Sequence, residues 1–267
     1  MKTNAGTVKA DTFEMDYFCF GSGGAPFVIL PGLSVQSVMG AADAVAAEYE
    51  LLAKDYRIYV FDRRSALPPE YSIRDMAADT AKAMQLLGLR DVCLFGASQG
   101  GMIAMVIAAE YPQLVKKLIL GSTSSHVREK DYKAVENWIR LAQEKDPEGL
   151  YLSFGKAIYP PEVFEQYKGA LIAAAGAVTD RDLERFILLA GALRGFDFTA
   201  ELGKISCPVL AIGVFEDEVL DSDATMEIAE NLDWRDDFRL YMYIGYGHAA
   251  FDTAPDYRER ILAFLRQ

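Results

Sequence analysis

The sequence is poor in the residues that build disulfide frameworks and metal sites. It has three cysteines, Cys19, Cys93 and Cys207, which lie far apart. An odd number of cysteines without the short spacing of metal ligands argues against both kinds of site. Cys19 and Cys93 lie in apolar stretches, where a free cysteine behaves as a small hydrophobic side chain. We therefore expect free thiols and a reducing compartment, and nothing in the pattern implies a metal or an organic cofactor.

Positive charge and long hydrophobic runs are also scarce. Lysine and arginine number 27 against 39 acidic residues, which gives a formal net charge of -12. Such a charge repels nucleic acids and anionic membranes, so neither is expected as a main partner. No apolar run approaches the roughly 20 residues that span a bilayer, and residues 1–11 lack the layout of a signal peptide. These absences favour a cytoplasmic protein that acts on a small molecule.

Segments with strand character alternate with helical segments along most of the chain. Buried-strand patterns occupy Phe13–Phe20, Phe27–Leu30, Arg57–Phe61, Asp91–Phe95, Lys117–Leu120, Pro208–Gly213 and Phe238–Ile244. Helical patterns occupy Val38–Ala53, Ile73–Leu87, Met102–Tyr111, Ser222–Leu232 and Tyr257–Leu265. This alternation predicts an α/β fold in which a mostly parallel sheet carries helices on both faces.

The alternation stops in residues 124–200, which we call the cap segment. This segment has helical patterns at Glu129–Lys145, Pro161–Ala175 and Asp180–Leu193, with no clear strand between them. We predict that residues 1–123 and 201–267 form an α/β core and that the cap segment covers the strand ends, where open α/β sheets place their sites. Such helices can serve as a lid or as a dimer contact. The sequence therefore leaves both a monomer and a homodimer as alternatives.

The strongest motif is Gly96-Ala97-Ser98-Gln99-Gly100, which joins a buried strand to a helical pattern. A strand that becomes a helix within so few residues passes through a cramped bend, and the glycines let the two elements pack closely. Such a bend exposes the serine hydroxyl as a nucleophile. The alternative is an ordinary turn serine in a protein without activity.

A serine nucleophile needs a base, and the chain offers only two histidines. His248 follows the last predicted strand in a glycine-containing loop, and we favour it as the base. His126 lies at the start of the cap segment and is expected to be structural or to line a pocket.

The base in turn needs an orienting acid at a strand end between Ser98 and His248. Asp217 fits this position, since it closely follows the strand that ends at Gly213. Glu216, Glu218 and Asp221 are near enough that spacing alone does not separate them from Asp217.

An oxyanion hole requires two converging N–H donors. One is expected from Gln99, the residue after the nucleophile. The other is expected from the loop after the Phe27–Leu30 strand. Pro31 has no N–H to offer, so Leu33 is our candidate.

Taken together, these motifs resemble the α/β-hydrolase fold superfamily, of the capped, esterase-like kind. The resemblance covers about the whole chain and rests on Leu30-Pro31-Gly32, Asp62-Arg63-Arg64, Gly96 to Gly101, the strand after Pro208 with Glu216-Asp217, and Gly247-His248. It implies about eight strands with the cap after the sixth. It also implies a Ser98, Asp217 and His248 triad, which settles the acid in favour of Asp217, and an oxyanion hole formed by Leu33 and Gln99.

Two loops differ from the common pattern of that superfamily. Pro31-Gly32 stands where many relatives have His-Gly, and Asp62 to Leu67 replaces an Asp-x-Arg-Gly-x-Gly loop that often borders the site. The second difference argues against transferring a relative's substrate to this chain. We expect Arg63 and Arg64 to be surface residues; the alternative is that one of them pairs with a substrate carboxylate.

The resemblance implies hydrolysis of an acyl bond through a covalent serine intermediate, with a carboxylic ester as the default substrate. Lactones, thioesters and carbon–carbon bonds are alternatives on the same triad, as is a cofactor-free haloperoxidase-like or transferase activity. An alternative from another class is a receptor that keeps the fold, binds a ligand and performs no chemistry.

Overall fold

The computed structural model describes all 267 residues, and eight strands form one sheet. The strands are β1 (Asn4–Lys9), β2 (Glu14–Phe20), β3 (Ala25–Leu30), β4 (Tyr56–Arg64), β5 (Val92–Ala97), β6 (Val115–Gly121), β7 (Val209–Val214) and β8 (Phe238–Tyr243). Their spatial order is β1-β2-β4-β3-β5-β6-β7-β8. β2 pairs antiparallel with β1 and β4, and every other neighbouring pair is parallel. The predicted α/β class with a mostly parallel sheet is confirmed.

Eleven α-helices surround the sheet. They are α1 (Ala42–Glu48), α2 (Glu50–Ala53), α3 (Ile73–Leu86), α4 (Gln99–Glu110), α5 (Glu129–Gln143), α6 (Pro147–Ile158), α7 (Pro161–Ala175), α8 (Asp180–Gly191), α9 (Ser222–Leu232), α10 (Ala250–Thr253) and α11 (Tyr257–Leu265). Short 3₁₀ turns occupy Val38–Ala41, Pro112–Leu114 and Thr199–Lys204. No helix is long and apolar enough to cross a membrane.

The sheet separates two hydrophobic cores. One face packs against α3, α4 and α9 and continues into the cap segment, whereas the other packs against α1, α2 and α11. α4 lies between the sheet and its neighbours and is buried on almost every side. This explains its nearly continuous apolar sequence, because a helix without a water-facing side needs no polar stripe.

The sequence pattern did not reveal strand β1. Of its six residues only Val8 is buried, so the apolar periodicity on which strand prediction depends is almost absent. β1 is defined by its antiparallel pairing with β2 at the edge of the sheet. The count of eight strands implied by the resemblance is nevertheless correct.

Two helical expectations need correction. The pattern predicts no helix between Glu129–Lys145 and Pro161–Ala175, but α6 begins there at Pro147, where a proline is tolerated because the first N–H of a helix has no partner. The Asp146 side chain accepts from the Gly149 N–H at 2.9 Å and caps this helix. The segment 38–53, expected as one helix, is a 3₁₀ turn followed by α1 and α2, interrupted at Tyr49. The ring of Tyr49 is buried near Phe95, with ring centroids 6.3 Å apart.

Candidate active site

Ser98 lies at the junction between β5 and α4, as the motif predicts. Its backbone has φ 51° and ψ -123°, a conformation that residues with a side chain seldom adopt. The Ser98 N–H donates to Gly121 O at 2.8 Å, and the Thr123 hydroxyl donates to Ser98 O at 2.6 Å. The end of the neighbouring strand β6 therefore holds this strained turn in place.

The glycines of the motif are required by close backbone approaches. A Cβ on Gly96 would lie 2.3 Å from Gly100 O, and a Cβ on Gly100 would lie 2.0 Å from Leu30 O. On the opposite side, a Cβ on Gly32 would lie 3.2 Å from the Ser98 Cβ. The loop after β3 is thereby pressed against the serine, as an oxyanion hole requires.

His248 lies in the loop after β8, and its ring is almost fully buried. Its Nδ1 is 2.8 Å from Asp217 Oδ2, so Nε2 is the nitrogen that can accept a proton from Ser98. The loop is anchored to the cap segment, because the Ala249 N–H donates to Ile158 O at 3.0 Å. Gly247 has φ 64°, a conformation that glycine adopts without strain.

Hydrogen bonds hold both carboxylate oxygens of Asp217 in place. Its Oδ1 accepts from the N–H groups of Val219 and Leu220 at 2.8 and 3.0 Å, while Oδ2 meets His248. Burial raises the pKa of this carboxyl, but His248 and the two N–H groups outweigh burial and bring the pKa below its ordinary value. Asp217 is therefore an ionised partner able to stabilise a protonated His248.

The other three candidates for the orienting acid do not face His248. Glu216 accepts from the Gly245 N–H at 2.7 Å, and Glu218 is exposed. Asp221 caps α9 and pairs with Lys130 at 2.7 Å. None of the three contacts the imidazole of His248, so geometry favours Asp217 where spacing left four candidates.

Ser98 and His248 line the same two cavities. The larger cavity, of about 250 Å³, is mostly apolar, and the smaller, of about 30 Å³, lies toward α5. No hydrogen bond joins the Ser98 hydroxyl to the His248 ring in this structure, which is common for catalytic pairs before substrate binds.

The two predicted oxyanion donors also meet at the serine. Gln99 is the first residue of α4, so no preceding helical turn offers an acceptor for its N–H. Leu33 lines both cavities with Ser98, and its N–H makes no hydrogen bond within the protein. Both N–H groups remain available to a developing negative charge.

Arg63 is not the surface residue we expected. It is 4% exposed, and its Nη2 donates to Pro31 O at 2.8 Å and approaches Gln99 Oε1 at 3.5 Å. Burial lowers its pKa to about 10 against the opposing effect of Asp62. Arg63 thus ties together the two segments that carry the predicted oxyanion donors, a role that its position near the end of β4 alone did not indicate.

Arg64 binds groups that lie away from Pro31 and Gln99. Its Nη1 is 3.3 Å from Asp79, and its other nitrogens donate to the carbonyl oxygens of Thr12 and Ala66. Neither Arg63 nor Arg64 lines the cavities around Ser98. The alternative in which one of them binds a substrate carboxylate has no support in this geometry.

The cap segment contributes one wall of the site. Phe154 and Ile158 of α6 line both cavities, and Trp138 of α5 lines the smaller one. Tyr159 and Phe164 instead line a wider outer groove of about 710 Å³ that excludes Ser98 and His248. His126 forms an isolated bridge with Asp197 and does not line either Ser98 cavity.

Sequence reasoning missed two charged residues of the site, one of which, Asp131 of α5, lines the smaller cavity with Ser98 and His248. Asp252 of α10 lines the larger cavity with Ser98 and His248. Burial raises the pKa of its carboxyl to about 6, although Arg258 acts in the opposite direction. No local signal marks Asp252, because His248 lies in the loop before the helix that carries it.

These features define a class of protein. The model of the alpha/beta hydrolase fold family matches residues 25–255. The chain belongs to the alpha/beta hydrolase fold family.

Curated relatives are distant but cover most of the chain. A protein of Agrobacterium fabrum (strain C58 / ATCC 33970), named "Putative carbamate hydrolase RutD", is 25% identical over 245 residues. The match covers 88% of this chain and 93% of that protein.

Solved structures show the same fold. MGS-M2, an alpha/beta hydrolase enzyme from a Medee basin deep-sea metagenome library, has a TM-score of 0.86 at 20% identity over 98% of both chains. The enol-lactonase from Burkholderia xenovorans LB400 has a TM-score of 0.83 at 18% identity, over 98% of this chain and all of the other (100%). Hydrolases of different substrates thus share this architecture, so the fold alone does not name the substrate.

Proposed function

We propose that this protein is a serine hydrolase that cleaves an ester or a related acyl bond of a small molecule. The observation that carries the proposal is the convergence of a strained Ser98, a buried His248 and an ionised Asp217 at one cavity. The alpha/beta hydrolase fold family and the relatives named as hydrolases support hydrolytic activity. The cavity volume of about 250 Å³ suits a small substrate.

In the first half of the proposed reaction, Ser98 Oγ attacks the carbonyl carbon while His248 Nε2 takes the hydroxyl proton. The carbonyl oxygen becomes an oxyanion that accepts hydrogen bonds from the N–H groups of Leu33 and Gln99. When the bond to the leaving group breaks, His248 gives its proton to that group. The product of this half is an acyl ester on Ser98.

In the second half, water attacks the acyl carbon and His248 takes a proton from it. The bond to Ser98 Oγ then breaks, and His248 returns the proton to that oxygen. Asp217 holds the imidazole in one tautomer throughout and stabilises its protonated form. The acid is released and Ser98 is regenerated.

A carbamate is a second candidate substrate. The observation in its favour is the name of the curated relatives, which describes them as carbamate hydrolases. A carbamate presents a carbonyl carbon bonded to nitrogen and oxygen, which the same two half-reactions would attack. Comparing a p-nitrophenyl carbamate with a p-nitrophenyl ester of the same size separates the two.

A fluorophosphonate probe tests the nucleophile. We expect the folded wild-type protein to be labelled at Ser98 and Ser98→Ala to remain unlabelled, while Ser34→Ala, which changes another serine of the same cavity, keeps the label. Hydrolysis of p-nitrophenyl esters of rising chain length should fall on the order of 10⁴-fold or more in Ser98→Ala. Folded wild-type protein that is neither labelled nor active would overturn the proposal and favour a ligand receptor.

A further inference from the structure

One carboxylate in the larger cavity has no part in the proposed chemistry. Asp252 lies on α10, and its side chain lines the larger cavity while part of the residue stays open to water. Its backbone N–H donates to Ala249 O, whereas its carboxylate forms no hydrogen bond or ion pair within the protein. A carboxylate beside an apolar wall loses part of its hydration, and this one gains no partner within the protein in exchange.

The nearest basic side chain is engaged elsewhere. Arg258 Nη2 lies 2.6 Å from Glu48 Oε2, and its guanidinium stands 5.2 Å from the ring centroid of Tyr49. Arg258 therefore acts on Asp252 through space, without a direct contact. No lysine or arginine lines the larger cavity, so Asp252 is its only charged group apart from His248 when that residue is protonated.

The other walls of the larger cavity favour a positively charged guest. They include the rings of Phe95, Phe154 and Phe251, and that of Tyr49, which already lies beside the Arg258 guanidinium. Aromatic faces attract cations, and the attraction grows where water is displaced. An anionic group would instead meet the unneutralised Asp252 carboxylate inside an apolar wall, which is unfavourable.

We propose that the substrate of Ser98 carries a compact ammonium group on one side of its scissile bond, and that Asp252 and the surrounding aromatic rings bind this group in the larger cavity. The inference rests on the proposed hydrolase function and adds a substrate class to it. The smaller cavity then accommodates the short remainder of the substrate on the other side of Ser98.

Acetylcholine and 3,3-dimethylbutyl acetate are a suitable pair of probes, because they have the same shape and differ in one positive charge. We expect kcat/KM for the cationic ester to exceed that for the neutral ester about tenfold or more. In Asp252→Asn the ratio should fall to near one. Glu259→Gln is the matched control, since it removes an exposed negative charge outside the cavity lining and should keep the wild-type ratio.

Choline and 3,3-dimethylbutanol, used as competitive inhibitors of p-nitrophenyl acetate hydrolysis, provide a second readout that does not depend on how fast either ester is cleaved. Choline should inhibit more strongly in the wild type and lose this advantage in Asp252→Asn. A wild-type ratio near one in both experiments, with hydrolysis that still requires Ser98, would refute the ammonium site and leave the proposed function intact. If the protein hydrolyses no ester and takes up no fluorophosphonate, the proposed function itself fails.

Discussion

The core and the cap segment contribute to the same site in different ways. In α4, all but two of twelve residues are buried, whereas in α7 only Ala175 of fifteen residues is buried. The strand-end loops of the core carry Ser98, Asp217 and His248, each held by backbone hydrogen bonds or by tight packing. The cap segment adds side chains such as Phe154 that line the cavities, and the Ile158 carbonyl that anchors the loop of His248. We infer that the core holds the proposed reacting groups and that the cap mainly shapes the cavities around them.

The same glycine-to-alanine change should have opposite effects in the two regions. In Gly100→Ala the new methyl would lie 2.0 Å from Leu30 O, and a backbone atom has little room to move. We expect loss of more than about 4 kcal/mol of unfolding free energy, or failure to fold. In Gly169→Ala, on exposed α7 with nothing within 4 Å, stability should rise by about 0.5–1 kcal/mol. Urea unfolding of both variants checks the comparison, and equal effects of either sign would contradict it.

The next largest effect should come from the acid of the triad. Asp217→Asn leaves the shape but removes the charge that orients His248, so kcat should fall about 10³–10⁴-fold. Steady-state kinetics with thermal unfolding would separate this from a folding defect. Glu218→Gln, one residue away and exposed, should leave kcat within about twofold of wild type. Similar losses in both variants would contradict the assignment of Asp217.

Arg63 should act on catalysis through the oxyanion loop. Arg63→Met removes the donor to Pro31 O and Gln99 Oε1, which frees the segments that carry the two oxyanion donors. We expect kcat to fall about tenfold while KM stays within about twofold. Arg64→Met is the control, because its guanidinium binds groups away from that loop. A rise in KM with unchanged kcat would instead indicate that Arg63 contributes to substrate binding.

The smallest effect on the kinetic constants should come from Phe154, a cap-segment residue that lines the cavities. Phe154→Ala removes a ring that lies 4.5 Å from Trp138, centroid to centroid, and lines both cavities. KM should rise several-fold, about 3- to 10-fold, with kcat nearly unchanged. Phe164→Ala, which alters only the outer groove, should change neither constant. A large loss of kcat in Phe154→Ala would show that the cap helps to fix the reacting atoms.

Much of the architecture could be predicted because buried parallel strands and amphipathic helices have distinct periodicities. Strand β1 was not predicted because its side chains are almost all exposed. Helix α6 was not predicted because its first residue is a proline. The burial of Arg63 could not be foreseen, since an arginine near a strand end is usually solvated and only the neighbouring loop supplies its partners. Asp252 was missed because nothing in local sequence shows that α10 forms a wall of the cavity.

The sequence by itself determined the kind of chemistry that can be proposed. A serine between two glycines at a strand-to-helix turn, and one histidine in a glycine loop, require only local backbone geometry and chain order to be recognised. Tertiary structure decided which of four acids faces His248, because only folding brings the loops after β7 and β8 together at 2.8 Å. It also placed an unpaired carboxylate and four aromatic rings in one cavity, since these residues come from separate elements that meet only in the folded chain.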